Sequence, residues 1–192
     1  MQITLLSEFC FKIKVKKINL LIGEFSKKFS KVNADIIVCP NLNGDLSLQR
    51  VEGEPFIVSA PGEYEISNIS VFGSKKFYII EIGDVKLCYL YQLDSTLTEN
   101  QLEEIGSIDV LFVPLGDKHL KVDLAFKLIG QIQPSIVIPA DRDEIKSLLQ
   151  KMGFENQQKV NKYKFSKSDL PEEMEVVILQ ERNNGSIKSS SS

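Results

Sequence analysis

Thr98-Glu-Asn-Gln-Leu-Glu-Glu-Ile-Gly-Ser-Ile-Asp-Val-Leu-Phe-Val-Pro114 decides the fold class, because its hydrophobic period changes in mid-course. Thr98 and Gln101 have the spacing of a capping box, which opens a short helix carrying Leu102 and Ile105 and stopping at Gly106. Asp109–Pro114 follows as a short apolar run, the signature of a strand buried on both faces. The alternation repeats downstream. Val122, Ala125, Phe126, Ile129 and Ile132 fall at helical spacing on one face, and Ser135–Pro139 is the next buried strand. Asp141 and Glu144 form a second cap pattern ahead of a helix with Ile145, Leu148, Leu149 and Met152, ended by Gly153. Tyr163–Phe165 and Glu175–Leu179 close as strands. Upstream the chain reads as strands only: Ile3–Leu6, Phe9–Lys16, Ile18–Ile22, Ala34–Cys39, Phe56–Ser59, Tyr64–Ile66, Ile69–Phe72, Phe77–Ile82 and Val85–Tyr91. Gly83-Asp84 between the last two predicts a hairpin. Antiparallel strands followed by βαβ units imply a layered α/β protein, with a mixed sheet or two sheets covered by helices.

At 192 residues the chain is long enough for one sizeable core. A single domain is expected over 1–181. From Arg182 onward Asn, Gly, Lys and five serines offer nothing to bury, which predicts a disordered tail over 182–192. A net charge of −3 gives no global reason to expect a nucleic acid or an anionic membrane as partner. Residues 1–33 do hold seven lysines against Glu8 and Glu24, a local net of +5. Lys12, Lys14 and Lys16 alternate there with Phe11, Ile13 and Val15, which reads as the wet face of a half-buried strand rather than a polyanion patch. Cys10, Cys39 and Cys88 lie far apart with no CxxC pair, so neither a zinc knuckle nor a disulfide framework is suggested. Each sits in an apolar run and reads as a small buried hydrophobe. No apolar stretch reaches the roughly 18–20 residues that cross a bilayer, and no leader pattern opens the sequence. A cytoplasmic location is the expectation.

Particular strings then matter more than periods. Ser59-Ala-Pro-Gly-Glu-Tyr-Glu-Ile66 resembles the "PGEYE" segment of small single-domain hydrolases of the metallo-β-lactamase fold. Leu97 to Gly116 resembles that family's approach to "DVLxxPVGG". Pro134-Ser-Ile-Val-Ile-Pro139 is similar to its "PKIVIP", Leu170-Pro-Glu-Glu173 to its "LPEE", and Leu5-Leu-Ser-Glu-Phe-Cys-Phe-Lys12 to an opening "YLGHSCFR". Five weak likenesses in the family's order, over residues 1 to about 180, make a strong fold signal. The resemblance implies a four-layered αβ/βα sandwich with a site at one edge, between the sheets. In active relatives that site holds one or two zinc ions, bound chiefly by an "HxHxDH" loop and by histidines from later strand ends. Such ligands leave zinc one open position for water, whose pKa falls to about 7 so that hydroxide can attack.

Here the sequence departs from that pattern. Where the loop is expected, Pro40 and Leu42 replace the first two histidines, Gly44 the aspartate and Asp45 the last histidine. Glu8 stands at the "GHS" position. "HLGD" becomes Tyr89-Leu-Tyr-Gln92, "IPMH" becomes Ile138-Pro-Ala-Asp141, and "DPF" becomes Gly23-Glu-Phe25. The chain contains a single histidine, His119, so a multi-histidine zinc site is impossible by count and zinc is not an expected cofactor.

The remnant cleft is expected to gather Glu8, Leu42, Asp45, Tyr89, Asp117, His119 and Asp141, with Pro40 and Asp141 at the same edge. An all-oxygen cluster of Glu8, Asp45, Asp117, Asp141 and Asp94 would suit magnesium or calcium; the blander reading makes them solvated strand ends and caps, Asp141 being a helix N-cap. His119 has the chemistry of a general base, but reads better as a surface-loop histidine. Neither Ser59 nor Cys39 has a recognisable partner base, and no phosphate-binding glycine loop is present. The favoured function is a catalytically inactive homologue with a binding or assembly role, its cleft lined by Leu42, Tyr89 and Tyr91 and open to a small organic ligand or a protein partner. The alternative is a metal-dependent hydrolase of phosphoester or lactone bonds with a rebuilt carboxylate site. A homo-oligomeric scaffold is a third reading.

Overall fold

The computed structural model describes residues 1–25, 30–40, 50–141, 143–154 and 157–182. Two mixed sheets face each other. The first has six strands in the spatial order Tyr163–Lys164, Gln2–Ser7, Cys10–Val15, Ile18–Gly23, Ile36–Val38, Phe56–Val58. The second has seven, in the order Glu175–Val176, Ile136–Ala140, Val110–Pro114, Val85–Leu90, Phe77–Ile82, Ile69–Gly73, Gly62–Ile66. The main core lies between them: Phe11, Ile13, Leu20 and Ile22 of the first meet Tyr78, Ile80, Leu87 and Phe112 of the second. The rings of Phe11 and Phe112 are 4.6 Å apart at their centroids.

Strand periodicity explains why the second sheet is buried on both faces. Along Phe77–Ile82, Tyr78 and Ile80 enter the inter-sheet core, while Phe77 and Ile79 enter a second core under the helices. That second core is closed by α1 (Glu99–Ile105), α2 (Val122–Ile132) and α3 (Ile145–Met152), whose Ile105, Ala125, Leu128 and Leu148 pack on Leu111, Val113 and Val137. Fully burying one such aliphatic side chain contributes about 1.5–3 kcal/mol. On the outer face of the first sheet, Leu6, Cys10, Leu21, Ile37 and Cys39 form a smaller cluster with Val32 and Val51. A short ladder of Val32–Asn33 with Val51–Glu52 accompanies it, with no α-helix on that face among the described residues.

Several expectations meet their test here. The Thr98 capping box forms in full, with Gln101 N–H donating to Thr98 Oγ1 at 3.3 Å and Thr98 N–H donating back to Gln101 Oε1 at 3.0 Å. The Gly83-Asp84 hairpin forms, with Ile82 opposite Val85 and Gly83 at φ +63°. Lys14 and Lys16 are exposed and Lys12 is half-buried, as the wet face of a strand requires, and all three cysteines are buried.

Three expectations need correction. Phe126 is 39% exposed and lies under Lys151 Nζ at 5.8 Å; Leu128 takes the buried position beside Ala125, Ile129 and Ile132, because the inward stripe of α2 is rotated away from Phe126. Asp141 is not the N-cap of α3. Its Oδ2 accepts from the amides of Asp143 (2.9 Å) and Glu144 (2.5 Å), tying a turn just before the helix, and Glu144 occupies the cap without a side-chain bond. Glu175–Leu179 is not one strand: Glu175–Val176 joins the second sheet and Ile178–Leu179 pairs instead with Lys159–Val160. The backbone N–H of Arg182 donates to the Leu5 carbonyl at 3.1 Å, and residues 183–192 lie outside the described residues. Among the described residues no helix is long and apolar enough to cross a membrane.

Candidate functional site

The parallel strands Val85–Leu90, Val110–Pro114 and Ile136–Ala140 end together, and side chains at carboxyl ends of such strands are where α/β sheets usually present chemistry. Tyr89, the Gly116–Leu120 loop and Asp141 lie at this end. The first sheet contributes the Ser7–Cys10 turn, Gly23-Glu24 and Cys39-Pro40, since Ser7 pairs with Cys10, Cys10 with Gly23, and Ile22 with Val38.

Gly23 shows why these parts can meet. Its φ is +112°, and a Cβ built there would stand 1.9 Å from the Phe9 carbonyl oxygen and 3.3 Å from Tyr89 Oη. Only a glycine lets the Phe9 turn and the Tyr89 phenol approach so closely. Tyr89 is fully buried, and its hydroxyl has no hydrogen-bond partner among the described residues. Burial, and then the nearby Glu24 carboxylate, hold its pKa well above the usual phenol value, so it stays protonated as a donor. His119 rests on Phe9, ring centroids 4.1 Å apart, with Nδ1 3.8 Å from Glu24 Oε1. Its side chain is only 7% exposed, and Nδ1 is buried without a hydrogen bond among the described residues. The expected surface-loop histidine is therefore corrected: Phe9 and the Leu115–Leu120 bridge fold the loop inward. Ser7 Oγ is a third buried polar atom at this end with no hydrogen-bond partner among the described residues.

The remaining expected residues divide. Glu8 is half-buried in the turn beside Phe9. Asp141 lies against Gly116, its Oδ1 3.8 Å from where a Cβ there would sit. Asp117 faces solvent and binds Lys121, which holds its carboxyl below the usual range. Asp94 pairs with Lys76 at 3.7 Å, in the exposed rim. Leu42 and Asp45 lie outside the described residues. Among the described residues, no three His, Cys, Asp or Glu side chains are grouped to hold a metal ion.

Sequence reasoning missed Glu24 as a member of the site, although its place at the "DPF" segment was a signal. The expected cleft has a volume of about 340 Å³; Pro40 and Tyr91 are in its lining as expected, Tyr89 is not, and Pro61, Ser74, Lys75, Tyr78 and Gln92 join it without having been singled out as lining in the sequence. The "PGEYE" string shapes its lip. Gly62 has φ +151°, and Tyr64 Oη donates to the Ala60 carbonyl at 3.0 Å, fixing the turn that presents Pro61. That φ is far from the +80° of a type II turn.

The comparisons with known proteins agree with this architecture. No curated protein matches the chain. Among solved structures, a candidate Zn-dependent hydrolase of the metallo-β-lactamase superfamily from Thermotoga maritima superposes with a TM-score of 0.80 at 24% identity, covering 93% of this chain and 98% of its own. A metallo hydrolase from the archaeon Ignicoccus hospitalis gives a TM-score of 0.56 at 13% identity, covering 86% and 99%. A metallo-β-lactamase-fold protein from Bacillus subtilis gives 0.59 at 8% identity, covering 94% and 96%. At these identities the likeness carries the fold alone. A family profile described as "Beta-lactamase superfamily domain" matches residues 2–141, more than half of the chain. With the facing sheets and the edge that the strand ends build, the chain belongs to the β-lactamase superfamily domain family.

Proposed function

We propose that this chain is a non-catalytic member of its family, whose site edge serves binding or assembly. The observation that carries the reading is Tyr89. At a position where the family's pattern has a histidine, this chain has a phenol packed in the core with its oxygen unpartnered among the described residues. A zinc centre would need imidazoles and an open coordination position. The one imidazole is stacked on Phe9, and Asp141 spends an oxygen on two amides. The described donors do not fit zinc.

The relatives named as Zn-dependent or metallo hydrolases make hydrolysis the competing reading. Elemental analysis of protein purified without chelator, run with a panel of phosphoester and lactone substrates, separates the two. The expected outcome is substoichiometric metal and no turnover. Stoichiometric metal that is lost in Asp141→Ala or Asp45→Ala would overturn the proposal and favour a rebuilt carboxylate site.

A further inference from the structure

The cleft beside Pro40 has a composition that selects a ligand. Among the described lining residues Lys75 is the only charged side chain and none is a carboxylate. Tyr78 and Tyr91, only 1% and 5% exposed, close the base of the cleft, and burial pushes the Tyr78 phenol up to about 12, so that it remains neutral. Gln92 adds an amide that donates and accepts.

These walls are held in place before any ligand arrives. A Cβ on Gly73 would stand 2.7 Å from Tyr78 Cε1 and 3.1 Å from the Ala60 carbonyl oxygen, so glycine is what lets that ring lie against the lip. Ser74 Oγ accepts from the amides of Lys76 and Phe77, both at 3.0 Å, and so shapes the turn that carries Lys75. Tyr91 N–H donates to the Lys76 carbonyl at 2.7 Å, locking the strand end to the same turn. Gln92 is held at φ +45°, a conformation that non-glycine residues adopt at a cost and that recurs at binding sites. Preorganised walls lower the entropy lost on binding.

We propose that this cleft is a binding site for a small organic anion, a carboxylate or phosphate monoester attached to a flat apolar body. The body lies between the prolines and the tyrosine rings, and the anion faces the Lys75 ammonium at the rim. At about 340 Å³ the space is at the small end of ligand pockets, which limits the occupant to a single-ring compound. The proposal rests on the reading of this edge as a binding surface, and it names the ligand class.

The test is calorimetric titration of the full chain, after chelator treatment, with benzoate, phenyl phosphate, benzamide and benzylamine. At least one of the two anions is expected to bind about fivefold or more tighter than the neutral and cationic probes. Lys75→Gln is expected to weaken anion binding about five- to tenfold while leaving benzamide unchanged, the loss of one partly exposed charge contact. Lys75 is exposed, so the variant keeps its fold, checked by circular dichroism. Lys86→Gln, in a different strand end, should bind as the parent does. Equal binding of benzylamine, absence of anion binding, or indifference to Lys75→Gln each overturns the proposal. Anion binding that occurs only before chelation overturns it too, and with it the non-catalytic reading. Turnover of phenyl phosphate with the Lys75 effect intact sinks the non-catalytic reading alone.

Discussion

The two ends of the strands Val85–Leu90 and Val110–Pro114 treat buried polar groups in opposite ways. At the amino end Asp109 is 9% exposed and fully engaged: its Oδ2 accepts from the Lys86 amide at 2.8 Å, and Lys167 Nζ donates to both oxygens at 2.7 and 2.8 Å. At the carboxyl end Tyr89 Oη, His119 Nδ1 and Ser7 Oγ are all buried with no hydrogen bond among the described residues. A satisfied buried group stabilises modestly, whereas an unsatisfied one costs about 1–3 kcal/mol. The amino end is therefore built for stability. The carboxyl end tolerates cost, as sites for ligands do.

That contrast can be broken by mutation. The largest effect belongs to Gly23→Ala, whose Cβ would drive into the Phe9 carbonyl at a positive φ. A loss of about 3 kcal/mol or more is expected by urea denaturation, from the backbone rearrangement it forces. A neutral result would mean that the approach of the Phe9 turn to Tyr89 does not matter. Next comes Asp109→Ala, which strips the Lys86 amide and the Lys167 ammonium of their acceptor and should cost about 2–3 kcal/mol.

Alkaline pH acts on the opposite end. Tyr78 and Tyr89 both have phenol pKa values raised by burial above the value of about 10 expected when unfolded. Between the unfolded and folded values the native state holds more protons, so stability is complete below about pH 10 and falls as pH rises above it. Denaturation midpoints measured at pH 8, 10 and 11 should show the decline, and Tyr78→Phe should flatten part of it. The smallest shift is expected of Tyr89→Phe. Deleting an unpartnered hydroxyl should leave stability unchanged or raise it by up to about 1 kcal/mol. A loss of 2 kcal/mol would show that the hydroxyl has a partner after all, and would remove the asymmetry between the ends.

Much of the fold was legible because it depends on local signals. The Thr98 box and the Gly83-Asp84 hairpin report directly on backbone geometry, and both formed where expected. The errors came where a local signal was outvoted. Asp141 and Glu144 have capping spacing, yet Asp141 ties its own turn and α3 begins later. The apolar run Glu175–Leu179 divides at Val177, whose amide bonds the Val137 carbonyl before the chain passes to Lys159–Val160. The site was legible in part. Glu8, Tyr89, His119 and Asp141 do gather at one end of the sheets, while Asp117 turns to solvent toward Lys121.

The residue inventory by itself determined that a multi-histidine zinc centre cannot be assembled, because ligand count needs no coordinates. It also determined the order of strands and helices, since period and punctuation are properties of neighbours along the chain. Only the tertiary structure decided that His119 is buried against Phe9, that Glu24 stands beside it, and that Pro40, Pro61, Tyr78 and Tyr91 enclose one cleft. Those facts depend on which strand ends meet across two sheets. That meeting is governed by long-range packing, which leaves no periodic trace in the chain.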